Sequence, residues 1–176
     1  MKTKLVFGFG SLINTASLLV TSPHASDIRP AYVKGFRRDF SVWAKGGWST
    51  TNLDLAGIPF CALDIQEDSD AKARVNGTVF TVNENDFLKL KDRECEYKLT
   101  ETVVYDFKND EPIGKCLVFS ACKNNGSYDV KSPAQIRYLE ICLEGTKQYG
   151  EDFYQMFLDT TFVGDKRLSD MPELFT

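Results

Sequence analysis

Apolar residues fall in short runs and alternations early in the chain and at helical spacing only late in it. Leu5, Val6 and Phe7 make a run suited to a sheet interior. Ala31 to Trp43 alternates as a strand, with Tyr32, Phe36, Phe40 and Val42 among polar partners. Phe60–Ile65, Val75–Val82 and Leu99–Phe107 read as further strands, the last two rich in valine. Asn109-Asp110 and Pro112-Ile113-Gly114 make a turn, with Lys115–Ala121 as its hairpin partner. Asn14–Val20 is a short helix, and Asn83 or Asn85 caps another that runs through Leu90. Ser132 as N-cap and Pro133 as first residue open the clearest helix, with Ile136, Leu139 and Leu143 on one face. Gly145 either ends that helix or lies close against another backbone, and Tyr149–Leu158 is a second late helix. Thr21–Pro30, Gln66–Ala73, Lys123–Ser127 and the tail after Gly164 read as irregular. Lys45–Pro59 is a long glycine-rich excursion, a candidate flap whose Trp48 either covers a ligand or packs down as an anchor. Strands first and helices last predict an α+β fold: a small mixed, barrel-like sheet with a few flanking helices.

The chain has 176 residues, enough for one domain (1–176) with a substantial core. Its net charge of −4 argues against a nucleic-acid partner, and no apolar run approaches a membrane span. Lys2 and Lys4 ahead of an apolar stretch imitate a signal peptide, but Gly8, Gly10, Ser11 and Asn14 interrupt it. The reading is a cytoplasmic protein. Five cysteines without a C-x-x-C pair indicate neither zinc nor a disulfide framework, and most have the apolar neighbours of buried thiols. A Cys/His nucleophilic pair would have to use His24, the only histidine, which lies in a loop.

The first strand runs into Gly8-Phe9-Gly10-Ser11-Leu12, where glycine allows unusual backbone angles and close approach of a ligand. Successive N–H groups in such a turn can cradle a carboxylate or a developing oxyanion. An ordinary turn has the same chemistry. Ile13 stands where a dinucleotide fingerprint needs its third glycine, and no Gly-Lys-Ser/Thr follows for a P-loop. Arg37 and Arg38 adjoin on a strand, so one faces the interior or a cleft, unless both are solvated edge charges. Lys91 to Glu96 is a charge run, ordinarily a solvated face.

Three of these segments together resemble the γ-glutamylcyclotransferase-like family, including its ChaC-type glutathione-degrading branch. Val6-Phe7-Gly8-Phe9-Gly10-Ser11-Leu12-Ile13 is similar to the family's Gly-Tyr-Gly-Ser turn. Arg93-Glu94 with Tyr97 leads into a valine-rich strand, and Ser132-Pro133 is followed by Tyr138 and Gly145. The resemblance implies an enzyme that folds a γ-glutamyl group back on itself, releasing 5-oxoproline and the attached amine, with no metal or cofactor. It implies Glu94 as the general acid/base, with Glu96 and Glu101 as rival acids. It implies that Gly8, Phe9, Gly10, Ser11 and Leu12 grip the γ-glutamyl unit or offset charge on its carbonyl oxygen, and that Tyr138 contacts substrate; Arg38 is a further candidate, as partner of a substrate carboxylate. Phe9 stands where the family often has tyrosine, and Cys95-Glu96 replaces a glycine-rich step. The leaving group is therefore open among glutathione, γ-glutamyl amino acids and γ-glutamylamines. The other reading is a non-catalytic binding or interaction protein with the same fold. Oligomeric state is not indicated.

Overall fold

A computed structural model describes residues 2–46, 55–120, 122 and 125–176. Five strands close into a barrel in the order β1 (Thr3–Gly8), β5 (Arg74–Asn83), β2 (Ser26–Lys34), β6 (Lys98–Asp106) and β7 (Pro112–Ser120). All neighbours are antiparallel except β1 and β7, whose parallel pairing (Val6 with Leu117, Phe7 with Val118) closes the ring. Closure removes the exposed edges that such short strands would otherwise present. A second sheet has the order β4 (Pro59–Glu67), β3 (Phe36–Lys45), β8 (Thr161–Val163) and β9 (Lys166–Arg167). The expected mixed, barrel-like α+β architecture is thus a true barrel with a satellite sheet. Trp48 and most of the 45–59 excursion lie outside the described residues.

Alternation along β1 divides the core. Phe7 belongs to the main cluster with Phe40, Leu63, Ile65, Tyr138, Phe153 and Phe157, which joins barrel, second sheet and late helices. Val6 faces the other way, into a smaller cluster with Leu12, Leu18, Phe80, Phe87, Leu90 and Phe119. Helices α1 (Thr15–Thr21) and α2 (Glu84–Arg93) contribute to that second cluster. Helices α3 (Pro133–Lys147) and α4 (Glu151–Asp159) contribute to the first.

The single strand expected over Ala31–Trp43 is two strands, because Gly35 takes φ +76° and turns β2 into β3. β2 also begins earlier, at Ser26, within the expected loop, with a register irregularity before Arg29. Ser132 does cap α3, accepting from Gln135 N, with Pro133 in the first turn. Ile136 is 46% exposed, so the buried face of α3 is carried by Tyr138, Leu139, Ile141, Cys142 and Leu143 instead. Gly145 lies inside α3, where a Cβ would come 2.6 Å from Asn14 N; it is a close-approach glycine and not a stop.

Candidate functional site

The chain leaves β1 at Gly8 and passes through Phe9 and Gly10 into a single 3-10 turn, Ser11–Ile13. Neither Gly8 nor Gly10 has a positive φ, so their use is spatial. A Cβ on Gly8 would meet Leu12 Cβ at 2.6 Å, and one on Gly10 would meet the Tyr138 hydroxyl at 2.8 Å. The first bonds within the turn run from Ile13 N to Gly10 O and from Asn14 N to Ser11 O. The amides of Gly10, Ser11 and Leu12 precede them and have no partner inside the turn.

The turn forms one wall of a cavity of about 30 Å³. Phe7 to Leu12 line that wall; Leu63 of β4, Glu94, Tyr97, Phe119 of β7 and Tyr138 of α3 line the rest. Of the residues singled out in the sequence, Gly8, Phe9, Gly10, Ser11, Leu12, Glu94 and Tyr138 therefore come together. Arg38 does not line the cavity.

Arg38 is fully buried and every one of its nitrogens faces a protein acceptor. Nε donates to Thr161 Oγ1 at 2.8 Å; Nη1 donates to Phe9 O at 3.1 Å and Asn76 O at 2.6 Å; Nη2 donates to Asn76 Oδ1 at 2.9 Å and Thr160 Oγ1 at 3.1 Å. Burial lowers its pKa to about 9. With no donor left over, it is placed to hold the turn rather than a ligand. Its bond to the Phe9 carbonyl fixes one side of the Phe9–Gly10 peptide. The Gly10 N–H, on the same planar trans unit, points the opposite way. Arg37, its neighbour, stacks on the Phe162 ring at 3.6 Å and donates to Gly164 O.

Glu94 sits at the C-terminal cap of α2, its amide bonded to Leu90 O at 2.9 Å. Its side chain is only 16% exposed. Burial raises its pKa above the ordinary carboxylate value, and the Arg93 guanidinium, 3.3 Å away at Nε, opposes that rise. Of the rival acids, Glu96 and Glu101 are both exposed and neither lines the cavity. Glu96 also does not share a strand face with Glu94, because residues 94–97 form a turn ahead of β6. His24 lies against Asp86, with Nδ1 3.3 Å from Oδ2, and is not among the lining residues.

Two tyrosines flank the carboxylate, both anchored on one residue of β4. Tyr97 Oη donates to Leu63 O at 2.6 Å, and Leu63 N donates to Tyr138 Oη at 3.1 Å. Burial raises both phenols well above their usual range, so both stay neutral. Leu63, Phe119 and Phe7 carry no sequence signal beyond strand pattern. Arg93 and Tyr97 share with Glu94 the segment that carries the resemblance, but nothing in the sequence gives either a role of its own. The described residues contain no cluster of His, Cys, Asp and Glu able to hold a metal ion. The arrangement sets a largely buried carboxylate and the Gly8–Leu12 turn along one small cavity.

A family model described as ChaC-like protein matches residues 4–146. Among solved structures, a γ-glutamyl cyclotransferase superposes with a TM-score of 0.67 at 18% identity, covering 98% of this chain and 96% of its own. A human protein described as uncharacterized gives a TM-score of 0.64 at 18% identity, covering 98% and 99%. A yeast γ-glutamyl cyclotransferase specific to glutathione gives 0.64 at 15% identity, covering 95% and 98%. At these identities the likeness is one of fold. No curated protein sequence matches the chain.

Proposed function

Because the chain belongs to the ChaC-like family and is an enzyme of the γ-glutamylcyclotransferase type, we propose that it converts a γ-glutamyl compound to 5-oxoproline and the released amine, with Glu94 as general acid/base. The observation that carries this reading is that Glu94 and the Gly8–Leu12 turn line one cavity. The α-amino nitrogen of the substrate attacks its own γ-carbonyl carbon, and a C–N bond closes the five-membered ring. That amine must first lose a proton, which the Glu94 carboxylate takes. As the γ-amide C–N bond breaks, Glu94 returns a proton to the departing nitrogen. Burial that raises the Glu94 pKa brings it toward the working pH, where one group serves both directions.

The Gly10 N–H, turned away from Arg38, is the donor best aimed at charge developing on the carbonyl oxygen. Holding the γ-glutamyl chain bent between the turn and the tyrosines supplies the rest. Well-oriented intramolecular attack is worth roughly 7–11 kcal/mol. Phe9 offers no hydroxyl, so the nearby phenols are those of Tyr138, against Gly10, and Tyr97. Among the described residues no helix is long and apolar enough to cross a membrane. Cys61, Cys116 and Cys142 are buried thiols, which supports a cytoplasmic setting.

Glutathione, γ-glutamyl amino acids and γ-glutamylamines are to be screened for 5-oxoproline release. Release from at least one class is expected, with a loss of about 10²–10⁴ in rate for Glu94→Gln. Tight binding without turnover in the wild type would instead mark a non-catalytic binding protein. Unchanged turnover in Glu94→Gln would remove Glu94 from the mechanism.

A further inference from the structure

Arg93 is a second buried guanidinium, and it contacts two of the cavity-lining residues, Ser11 and Glu94. Its side chain is 1% exposed. Nη2 donates to Ser11 Oγ at 2.9 Å and Ser17 Oγ at 3.0 Å. Nη1 donates to Ser17 O at 3.0 Å and Thr21 Oγ1 at 2.9 Å. Four donors are thereby spent on the glycine turn and α1. The fifth, Nε, has no hydrogen-bond partner and lies 3.3 Å from Glu94 Oε1. Glu94 is the one carboxylate within ion-pair distance of Arg93 among the described residues.

We propose that Arg93 is the positioning residue of this site: one rigid cation that grips Ser11 of the turn and sets its charge, at Nε, 3.3 Å from the Glu94 carboxylate, fixing the distance between acid/base and turn. This rests on the cyclotransferase reading above. A guanidinium is needed because its donors form a planar fork of fixed geometry; an ammonium on a flexible stem cannot hold Ser11, α1 and Glu94 together. The ionisable groups facing Glu94 are Arg93 from its own segment, Tyr97 from the turn that follows, and Tyr138 from α3. The two phenols are neutral, so Arg93 supplies the only full charge in that set. It favours the ionised carboxylate against the opposing effect of burial. Loss of that charge moves Glu94 protonation to higher pH.

Two measurements test this. The first is the pH dependence of kcat in Arg93→Gln and Arg93→Lys. Arg93→Gln is expected to lose about 10²-fold in kcat, the effect of a small misplacement of reacting groups, with KM little changed and the acid limb moved upward. Arg93→Lys is expected to lose kcat while its acid limb stays nearer the wild-type position. An acid limb at the wild-type pH in Arg93→Gln overturns the proposal, since a purely structural role lowers activity without moving it. The second needs neither turnover nor an arginine variant that folds. In the wild type, the 15Nε–1Hε NMR signal of Arg93 is expected to shift with the same midpoint as the Glu94 13Cδ signal. In Glu94→Gln that shift is expected to vanish. An Arg93 signal that ignores the Glu94 titration overturns the proposal. Absence of 5-oxoproline release from every wild-type substrate would instead sink the parent reading, and the NMR result would still decide whether the pair exists.

Discussion

The role proposed for Glu94 is written against stability. Its pKa in the fold lies above the ordinary carboxylate value because burial disfavours the charge. The folded state therefore holds its proton to higher pH than the unfolded chain does, and stability falls as pH rises from the unfolded pKa through the folded one. Above that window Glu94→Gln is expected to be more stable than the wild type while inactive, and below about pH 4.5 the difference is expected to close. Denaturant melts of both proteins at pH 7 and pH 4.5 check this; a variant less stable at pH 7 than at pH 4.5, relative to wild type, refutes it. Gly10 makes a second residue-scale prediction. Gly10→Ala puts a methyl 2.8 Å from a Tyr138 hydroxyl that is buried and bonded to Leu63 N. Displacing that hydroxyl strands the Leu63 N–H at about 1–3 kcal/mol, and kcat/KM falls with it, as melts and steady-state kinetics would show. Glu94 was legible in the sequence only through the motifs around it, since its own neighbourhood is a charge run. Arg38 was half legible. Alternation puts one of two adjacent arginines inside, but not the acceptors waiting there, which come from Phe9, Asn76 and Thr161, far away in the chain.

At the scale of elements, the site is held by contacts between pieces remote in sequence. Asn14 caps α1, accepting from Ala16 N and Ser17 N, while its Nδ2 donates to Ile141 O in α3. Gly145 lets α3 approach this same junction. Asn14→Ala removes the cap, worth about 0.5–2 kcal/mol, and with it the bond from Asn14 Nδ2 to Ile141 O that ties α1 to α3. Gly145→Ala forces backbone apart for about 1–3 kcal/mol. Both are expected to lower the melting temperature and, because Asn14 directly follows the turn, to reduce kcat as well; full activity in a destabilised Gly145→Ala would show that the turn does not depend on this packing. Capping residues were readable in advance: Ser132, Pro133 and Asn83 mark helix starts by local chemistry alone. The break at Gly35 was not. A glycine inside a continuous alternation reads as part of one strand, and only the partners show the turn: β2 pairs with β5 and β6 in the barrel, β3 with β4 and β8 in the second sheet. Strands β8 and β9 are three and two residues long, too short for any periodicity to register.

Across the whole molecule, the cavity exists because separate structural units meet around it: the barrel supplies the end of β1 and Phe119, the second sheet supplies Leu63, and the helices supply Glu94 at the end of α2 and Tyr138 from α3. A γ-glutamyl group bound there touches all three units, so that binding ties barrel, sheet and helices together. Global stability is the natural readout. In Glu94→Gln, which binds without consuming its ligand, a γ-glutamyl compound at 100 times its Kd adds about 2.7 kcal/mol to the folded state. For a chain of 176 residues that corresponds to a rise of about 5–10 °C in melting temperature. The free amine alone, lacking the γ-glutamyl end, is expected to produce little shift. Equal shifts with the amine and with the γ-glutamyl compound would mean that recognition does not run through the turn. No shift with any γ-glutamyl compound would mean that the cavity does not open to one.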